Sequence, residues 1–242
     1  MALEKWFTSE VTRIEDETEN AKRFFMKVPE LEVLNFKAGQ FVTFDLPIHE
    51  KKNRRWRSYS IVSPPSASNE FELLIGFVPN GPASKYFWND VQVGTTIPFK
   101  GPAGIFVLPG IIETDLCLIA TSTGIAPFRS MLLDLVSHPR SIKNLYLVFG
   151  TRYIKDIFYR EELEQLQTKI PGFKFLLTLS REDSPEYTGR KGYVHPVYEE
   201  LFADKRSAQF YISGWKNMID DAKKRILAMG YDRKLIHVEI YG

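Results

Sequence analysis

The residues best suited to chemistry lie in a short predicted strand within "RRWRSYSIVSPP", which runs from Arg54 to Pro65. Arg57, Tyr59 and two serines stand there at positions where a strand normally carries apolar residues. A fixed guanidinium suits a phosphate, and an aromatic ring suits the face of a flat cofactor. The alternative is a polar strand at the edge of a sheet. We therefore treat Arg57–Ser60 as a candidate cofactor-binding strand.

A second candidate is the turn in "LIATSTGIAPFRSML", at residues 118–132. Thr121, Ser122, Thr123 and Gly124 are small enough to let the backbone approach a ligand closely, and Pro127 suits the first turn of a helix. The start of that helix offers unpaired N–H groups to an anion such as a pyrophosphate. The turn is neither G-x-G-x-x-G nor a Walker loop. The alternative is an ordinary helix start with Ser/Thr capping.

Polar residues also follow the later predicted strands. Because ligands of parallel α/β sheets bind beyond the carboxyl ends of the strands, these residues are expected at one edge. Guanidinium groups there match the oxygens of a phosphate monoester. Any one of these arginines alone is better explained as a solvated surface residue, and it is their clustering at one edge that favours a phosphate site. The residues at the strand ends are Thr151, Arg152, Ser180, Arg181, Ser213 and Gly214, and Arg190, Lys191 and Tyr193 follow in "TGRKGYV".

Two patterns of secondary structure divide the chain near Gly110. Before it, short alternating runs separated by turn residues predict an antiparallel barrel or sandwich. After it, apolar strands alternate with amphipathic helices, which predicts a parallel sheet covered on both faces. We predict a β domain at residues 1–108 and an α/β domain at residues 109–242. The clearest strands are "FFMKV", "QFVTFDL", "RSYSIV", "FELLIGFV" and "TTIPFK" in the first domain, and "DLCLIAT", "NLYLVFG", "FKFLLTLS", "AQFYISG" and "LIHVEIYG" in the second.

Composition excludes several classes of protein. A net charge of +2 over 242 residues gives no indication of a nucleic-acid binder. The single cysteine, Cys117, excludes an intramolecular disulfide framework and a four-cysteine zinc or iron–sulfur site. The four histidines show no metal-ligand spacing. No apolar run approaches the roughly 20 residues of a membrane helix, and the N-terminal stretch is neither a signal nor a transit peptide. We expect a soluble, cytoplasmic protein without a metal site.

The motifs, taken in order, resemble the ferredoxin–NADP⁺ reductase family over nearly the whole chain. The motifs that carry the resemblance are "RSYS", "GPAS" at residues 81–84, "GPAG" at residues 101–104, "ATSTGIAPFRS", "FGTR", "LSRE", "SGWKNM" and the closing "VEIY". The resemblance implies an N-terminal Greek-key barrel that binds FAD and a Rossmann-like domain that binds NADP(H).

For the flavin, the resemblance implies that Arg57 neutralises the phosphate and Tyr59 packs on the isoalloxazine ring. Ser60 would lie next to flavin N5. "GPASKYF" resembles the family's second phosphate loop, in which the amides of Ala83 and Ser84 would hold the pyrophosphate. The further expected flavin contacts are Ser58, Leu74, Ile75, Gly76 and Pro82.

For the nucleotide, the resemblance assigns Ser180, Arg181 and Lys191 to the adenosine 2′-phosphate and Tyr193 to the adenine. These residues favour NADP(H) over NAD(H), although Glu182 and Asp183 directly follow Arg181. The further expected contacts are Thr121, Thr123, Gly124, Thr151, Arg152, Arg190 and Gly214.

The chain departs from plant-type members of the family at several positions. Ser213 replaces a cysteine near the nicotinamide, and Tyr241, which would stack on the flavin, is followed by Gly242. Glu239 matches a glutamate near the flavin edge, with an exposed carboxylate on a last strand as the alternative. The segment "IGFVPNGPAS" lacks the long loop whose tyrosine stacks on the FAD adenine, so FMN remains an alternative flavin. The expected catalytic residues are Ser60, Ser213, Glu239 and Tyr241.

The resemblance predicts hydride transfer between NADP(H) and FAD, and single-electron transfer to a separate ferredoxin or flavodoxin. "KKNRRWR", at residues 51–57, would steer an acidic carrier toward the flavin, or it is a solvated basic loop. One alternative is an NAD(P)H-dependent reductase component of an oxygenase. Another is a flavin-binding electron-transfer subunit of a larger complex.

Overall fold

Two six-stranded sheets, built from different halves of the sequence, organise this computed structural model, which describes residues 5–241. The first sheet is antiparallel throughout, with strand order β4-β3-β6-β1-β2-β5. Just after β4, the amide of Val62 donates to the carbonyl oxygen of Glu72 on β5 at 2.8 Å, which draws the two edges of the sheet together. The elements are β1 (Trp6–Thr18), β2 (Ala21–Lys27), β3 (Phe41–Asp45), β4 (Trp56–Ser60), β5 (Glu70–Gly76), α1 (Pro82–Asn89) and β6 (Thr96–Ala103).

The core of the first sheet is aromatic and includes helix α1. Phe87 of α1 packs edge-on against Phe24 of β2, with ring centroids 5.1 Å apart. Phe44 of β3 and Phe99 of β6 are also fully buried. Along β3, the buried Val42 and Phe44 alternate with less buried residues, because successive strand residues point to opposite faces. The predicted antiparallel barrel is confirmed.

Strand β1 is not among the strands predicted from the sequence, although at 13 residues it is the longest in this sheet. It pairs with β2 on one side and with β6 on the other. Charged residues such as Arg13 and Asp16 dominate its second half, and the register shifts twice. A strand with a polar outer face and irregular pairing gives little periodic signal.

The second sheet is parallel, with strand order β10-β9-β8-β7-β11-β12. Its central strands are almost completely buried and apolar, as expected for a sheet covered on both faces. The predicted alternation of strands and helices is confirmed. The elements are β7 (Asp115–Thr121), α2 (Ala126–Ser137), β8 (Leu145–Thr151), α3 (Arg160–Lys169), β9 (Phe173–Leu179), β10 (Arg190–Lys191), α4 (Val194–Leu201), β11 (Ala208–Trp215), α5 (Lys216–Ala228) and β12 (Ile236–Tyr241).

The contacts group the chain into two units that differ in one detail from the predicted division. The first unit runs to Leu108 and also contains Arg129–Asp134, and the second contains the remainder. The added segment belongs to the first unit because Arg129 and Ser130 hydrogen-bond to the backbone that follows β4. Among the described residues, no helix has the length and apolar character needed to cross a bilayer.

Candidate functional site

Strand β4 separates its candidate residues between two faces. In the antiparallel register with β3, Arg57 lies opposite Phe44 and Tyr59 lies opposite Val42. Phe44 and Val42 are buried, so Arg57 and Tyr59 share the core-facing side of this edge strand. Ser58 points the other way, and its hydroxyl lies 2.8 Å from that of Thr43. The structure therefore brings the predicted cation and ring together and leaves the Ser58 side chain apart from them.

The ring of Tyr59 is held in place by two aromatic neighbours. It packs edge-on against Phe87 of α1 at 5.5 Å and lies 6.1 Å from Phe44. Burial raises the pKa of the Tyr59 hydroxyl well above its usual value, so the phenol stays neutral. The contact with Phe87 also links β4 to α1, the two elements expected to hold the flavin.

The guanidinium of Arg57 turns back over the loop that precedes β4. Its Nη1 donates to the carbonyl oxygens of Arg54 at 3.0 Å and Trp56 at 2.8 Å. Within residues 5–241 it forms no ion pair with a carboxylate. A positioned but unneutralised guanidinium is suited to an anionic group such as a phosphate.

The loop that precedes helix α1 is held together by hydrogen bonds of the Ser84 side chain. The Ser84 hydroxyl accepts from the amide of Val78 at 3.1 Å and lies within donating distance of the carbonyl oxygens of Val78 and Gly81. This side chain is therefore committed to the loop. The Ala83 and Ser84 amides lie in the first turn, where N–H groups have no intrahelical acceptor. Those amides, the groups predicted from the sequence, are the ones suited to an anion.

The three candidates on β5 differ in what they expose. Ile75 belongs to the barrel core, is only 2% exposed and pairs with Lys22 of β2, so the structure does not place this predicted flavin contact at an open surface. Leu74 is buried outside that core cluster, and Gly76 is half-buried at the end of the strand.

The carboxyl ends of β7 and β11 approach each other unusually closely in the second unit. A Cβ atom on Gly124 would lie 2.6 Å from the carbonyl carbon of Ser213 and 2.8 Å from Cα of Gly214. Gly214 itself has φ of +142°, and a Cβ there would collide with Oγ1 of Thr121. Only glycine permits both approaches. The structure thus brings three of the predicted nucleotide contacts, Thr121, Gly124 and Gly214, together with the predicted catalytic residue Ser213. Thr123 lies in the turn of Ser122–Ile125 that follows β7.

Two hydroxyl groups at this junction are unsatisfied. Oγ1 of Thr121 and Oγ of Ser213 are buried and have no hydrogen-bond partner among residues 5–241. A buried polar group without a partner costs free energy, and native structures rarely keep one without a reason. A ligand with polar edges, such as a nicotinamide nucleotide, would supply the missing partners, so the residues present fit such a cofactor.

The last strand adds two of the predicted catalytic residues. Parallel pairing places Glu239 opposite Ser213 and Tyr241 opposite Trp215. The Tyr241 hydroxyl donates to Oε1 of Glu239 at 3.3 Å. Gly242 lies outside the described residues.

A cavity of about 400 Å³ opens at this end of the sheet, and Tyr241 lines it. Its other lining residues are Trp215, Lys216, Asn217 and Ile240. Trp215 is 53% exposed. It is absent from the site residues predicted from the sequence, although its position directly after Ser213-Gly214 could have indicated it.

The residues predicted to bind the adenosine end of the nucleotide lie at the ends of the neighbouring strands β8, β9 and β10. Beyond β8 and β9 the backbone pairing continues, with the amide of Ser180 donating to Thr151 at 2.9 Å and that of Arg181 donating to Arg152 at 3.0 Å. The side chains of Arg152 and Arg181 are exposed. Lys191 lies beside this edge because β10, a short strand absent from the predicted elements, pairs with the end of β9.

Glu182 directly follows Arg181 in the sequence, but its carboxylate is hydrogen-bonded to backbone amides and does not pair with the neighbouring basic side chains. Its Oε2 accepts from the amide of Ile154 at 2.9 Å, and its Oε1 accepts from that of Ser184 at 3.0 Å. The hydrogen bond from Ile154 is the main cause that lowers the pKa of this carboxyl group. Arg181 and Lys191 form no ion pair within the described part of the chain.

Arg190 and Tyr193 differ from their neighbours. Nη1 of Arg190 lies 2.7 Å from Oε2 of Glu200 on α4, so this guanidinium is already neutralised. Tyr193 is 74% exposed, with a free face for stacking. Among the predicted phosphate contacts, Arg190 is therefore the least available.

The basic loop before β4 divides into free and paired residues. Arg55 pairs with Asp45 at 2.7 Å, and Arg57 is committed to the loop backbone. The side chains of Lys51, Lys52 and Arg54 are exposed and unpaired among residues 5–241.

Both halves of the chain match family models. Residues 8–108 match the oxidoreductase FAD-binding domain, and residues 118–224 match the oxidoreductase NAD-binding domain. Both matches fall on the units that carry the corresponding candidate residues.

Individual relatives agree with these matches. Ferredoxin–NADP reductase B of Sorangium cellulosum is 34% identical over 214 residues, which are 85% of this chain and 85% of that protein. The anthranilate 1,2-dioxygenase electron transfer component of Acinetobacter baylyi is 30% identical over 190 residues, which are 78% of this chain. They make up 53% of that relative, so the match spans about half of its length.

A solved structure shows the same fold. The ferredoxin–NADP⁺ reductase of Neisseria gonorrhoeae with bound FAD and NADP superimposes with a TM-score of 0.78 and 23% identity, covering 98% of each chain. Since one relative shares a third of its residues over most of both proteins, and both halves match the two domain models, the chain belongs to the ferredoxin–NADP reductase family of FAD-dependent oxidoreductases.

Proposed function

We propose that this enzyme uses NADPH to reduce a one-electron carrier protein, a ferredoxin or flavodoxin, by way of FAD. The observation that carries the proposal is the pair of buried, unpartnered hydroxyls of Thr121 and Ser213 at the junction of β7 and β11, with no acceptor or donor for them among residues 5–241. When bound, FAD supplies the chemistry that accepts two electrons as a hydride and passes them on one at a time. The chain's own residues bind, orient and shield the two cofactors.

In this proposal residues 1–108 bind the flavin. Arg57 provides the cation for its phosphate, and the first-turn amides of Ala83 and Ser84 provide donors for the pyrophosphate. Tyr59, fixed by its aromatic neighbours, provides a ring face. Ser60, buried at the end of β4, provides a hydroxyl beside the reactive edge of the ring.

Residues 109–242 bind the nicotinamide nucleotide. Gly124 and Gly214 allow the backbone to approach the ligand closely, and Thr121 and Ser213 offer hydroxyls to its polar edge. Tyr241, hydrogen-bonded to Glu239, lines the adjoining cavity and provides a second ring face.

Two observations support a preference for NADPH over NADH: two basic side chains are available for a phosphate, and the nearby carboxylate of Glu182 is already hydrogen-bonded. Arg181 and Lys191 are exposed and unpaired within residues 5–241, which suits the 2′-phosphate. An NAD-specific site would use a carboxylate to accept from the ribose hydroxyl. Glu182, the nearest candidate in the sequence, is held by backbone amides instead.

The carrier is proposed to be acidic. Lys51, Lys52 and Arg54 present positive charge, uncompensated within the described part of the chain, a few residues before the flavin-binding strand. Complementary charge raises the rate of encounter between such partners. The cytoplasmic location stays a prediction from the sequence.

The test is turnover of the FAD-loaded protein with each nucleotide and each acceptor. NADPH should support faster reduction than NADH, and a ferredoxin or a flavodoxin should accept the electrons. A small dye as acceptor reports flavin reduction without the carrier. Reduction of the dye but of neither carrier would reject the proposed partner and retain the chemistry.

One second function has specific support. The match to a dioxygenase electron transfer component at 30% identity favours a reductase component that serves an oxygenase. Such a component should turn over NADH about as well as NADPH and deliver electrons to an oxygenase or its own ferredoxin. The same comparison of nucleotides and acceptors separates the two functions.

A further inference from the structure

The three residues that follow Ser60 close the barrel and are held on both sides. The amide of Ile61 donates to the carbonyl oxygen of Gln40 beside β3 at 3.0 Å. The amide of Val62 donates to the carbonyl oxygen of Glu72 on β5 at 2.8 Å. Segment 61–63 therefore spans the gap between the two edge strands, and any shift of it moves Ser60.

The same segment is held again by side chains of the first unit. Nη1 of Arg129 donates to the carbonyl oxygen of Val62 at 3.3 Å. The hydroxyl of Ser130 donates to the carbonyl oxygen of Ser63 at 2.6 Å. The hydroxyl of Ser63 accepts from the amide of Glu72 at 3.1 Å. The carbonyl groups of Val62 and Ser63 and the side chain of Ser63 are thereby fixed.

Glu72 is the centre of this arrangement. Only 5% of it is exposed, yet it carries a carboxylate. Its Oε2 lies 3.1 Å from Nη1 of Arg129, and its Oε1 lies 2.6 Å from Nε of Arg23. A carboxylate with little access to water must be compensated by such pairs. The guanidinium that contacts Val62 is thus itself oriented by Glu72.

Stability alone is a weak explanation for this carboxylate. Desolvation offsets most of the Coulombic gain of a buried ion pair, and apolar replacements of similar shape are often neutral or stabilising. A buried pair that determines the position of a neighbouring group has a clearer use. Here the neighbouring group is the backbone that carries Ser60.

We propose that Glu72 is a positioning residue for hydride transfer: through Arg129 and through its own backbone it holds segment 61–63, and so places Ser60 at the reactive edge of the flavin. This role rests on the proposed function, because it assumes that Ser60 lies beside the flavin. Glu72 touches neither cofactor in this assignment. Its loss should therefore affect the rate of the chemical step and leave nucleotide affinity unchanged.

The test compares Glu72→Gln with a matched control, Glu15→Gln. Glu15 lies 3.1 Å from Arg23, so its replacement neutralises a carboxylate of the same charge network without touching Glu72, Arg129 or the segment. The measured quantities are the limiting rate of anaerobic flavin bleaching by NADPH, the NADPH dissociation constant, the bound FAD content and the Tm.

Because small misplacements at a reacting centre reduce rates steeply, Glu72→Gln should lower the limiting bleaching rate about tenfold or more. The NADPH dissociation constant should stay at the wild-type value, and Glu15→Gln should match wild type in both quantities. A Glu72→Gln protein that binds FAD and is bleached at the wild-type rate overturns the proposal, whatever its Tm.

If Glu72→Gln does not fold, Ser130→Ala provides the second variant. It removes one hydrogen bond to Ser63 and keeps both ion pairs of Glu72. A lower bleaching rate at unchanged nucleotide affinity supports the positioning role, and an unchanged rate overturns it. Wild-type protein that binds FAD but is not bleached by NADPH would instead overturn the proposed function, and the positioning role with it.

Discussion

Gly124 and Ser213 are in backbone contact, so that no side chain fits between the turn after β7 and the end of β11. A Cβ atom on Gly124 would press on the carbonyl group of Ser213, which is backbone and cannot rotate away as a flexible side chain can. The contact holds Thr121 and Ser213, from strands adjacent in the sheet, at one place. It is the geometric basis of the nucleotide site proposed here.

Gly124→Ala should therefore weaken both folding and NADPH binding. Forcing a methyl group into a packed contact costs about 1–3 kcal/mol of unfolding free energy. The two turns must separate, so the NADPH dissociation constant should rise as well. Thermal unfolding and NADPH titration measure the two effects. Gly110→Ala is the control, because nothing lies within 4 Å of the place that a Cβ atom would occupy there; equal behaviour of the two variants would contradict the close approach.

Thr121→Val should separate stability from binding. Valine keeps the shape of threonine and removes a buried hydroxyl that lacks a partner among the described residues. The free protein should be stabilised by about 1 kcal/mol, and the NADPH dissociation constant should rise about three- to tenfold. Thr18→Val is the control, since Oγ1 of Thr18 is similarly buried and unpartnered but lies on β1. Unchanged NADPH affinity in Thr121→Val would show that the hydroxyl does not serve the nucleotide.

Arg181→Ala should reduce discrimination between the two nucleotides. Loss of a charged hydrogen bond to the 2′-phosphate should raise the KM for NADPH about 10- to 100-fold, with little change in the KM for NADH. Arg190→Ala should have a much smaller effect, because Arg190 is already paired with Glu200. Steady-state kinetics of all three proteins with both nucleotides measures this. A larger effect at Arg190 than at Arg181 would reverse the assignment.

Lys52→Glu should weaken reduction of an acidic carrier without affecting the chemistry at the flavin. Its side chain is exposed, so the charge reversal should raise the KM for the carrier at low ionic strength, and the effect should shrink as salt screens it. Lys174→Glu, the same charge reversal at an exposed lysine on β9, is the control. Dye reduction should be the same in all three proteins. A carrier KM that is insensitive to both salt and Lys52→Glu would exclude electrostatic docking at this loop.

The sequence is most informative where one residue type repeats along an element. Strand β7, Asp115–Thr121, matches the predicted "DLCLIAT" because a strand buried on both faces must be apolar throughout. The candidate residues at the strand ends follow from the same rule, since the carboxyl ends of parallel strands share one edge. Strand β1 escapes prediction because its polar face and shifted register interrupt the alternation.

Pairings between distant residues are not predictable from one sequence. Nothing in local pattern indicates that Arg190 is neutralised by Glu200 or that Glu182 caps the amide of Ile154. The contact between Glu72 and Arg129 joins positions 57 residues apart. These pairings decide which of several similar arginines is free to bind a ligand. They therefore change which residues are expected to bind, and they leave the location of the site unchanged.

The central claim is that this chain binds FAD and passes reducing equivalents to it from NADPH. The most direct test is to mix the FAD-loaded protein with NADPH in the absence of oxygen and record the visible absorbance of the flavin. We predict stoichiometric binding of FAD and prompt bleaching by NADPH. A protein that does not retain FAD, or whose bound flavin keeps its colour with NADPH, would contradict it.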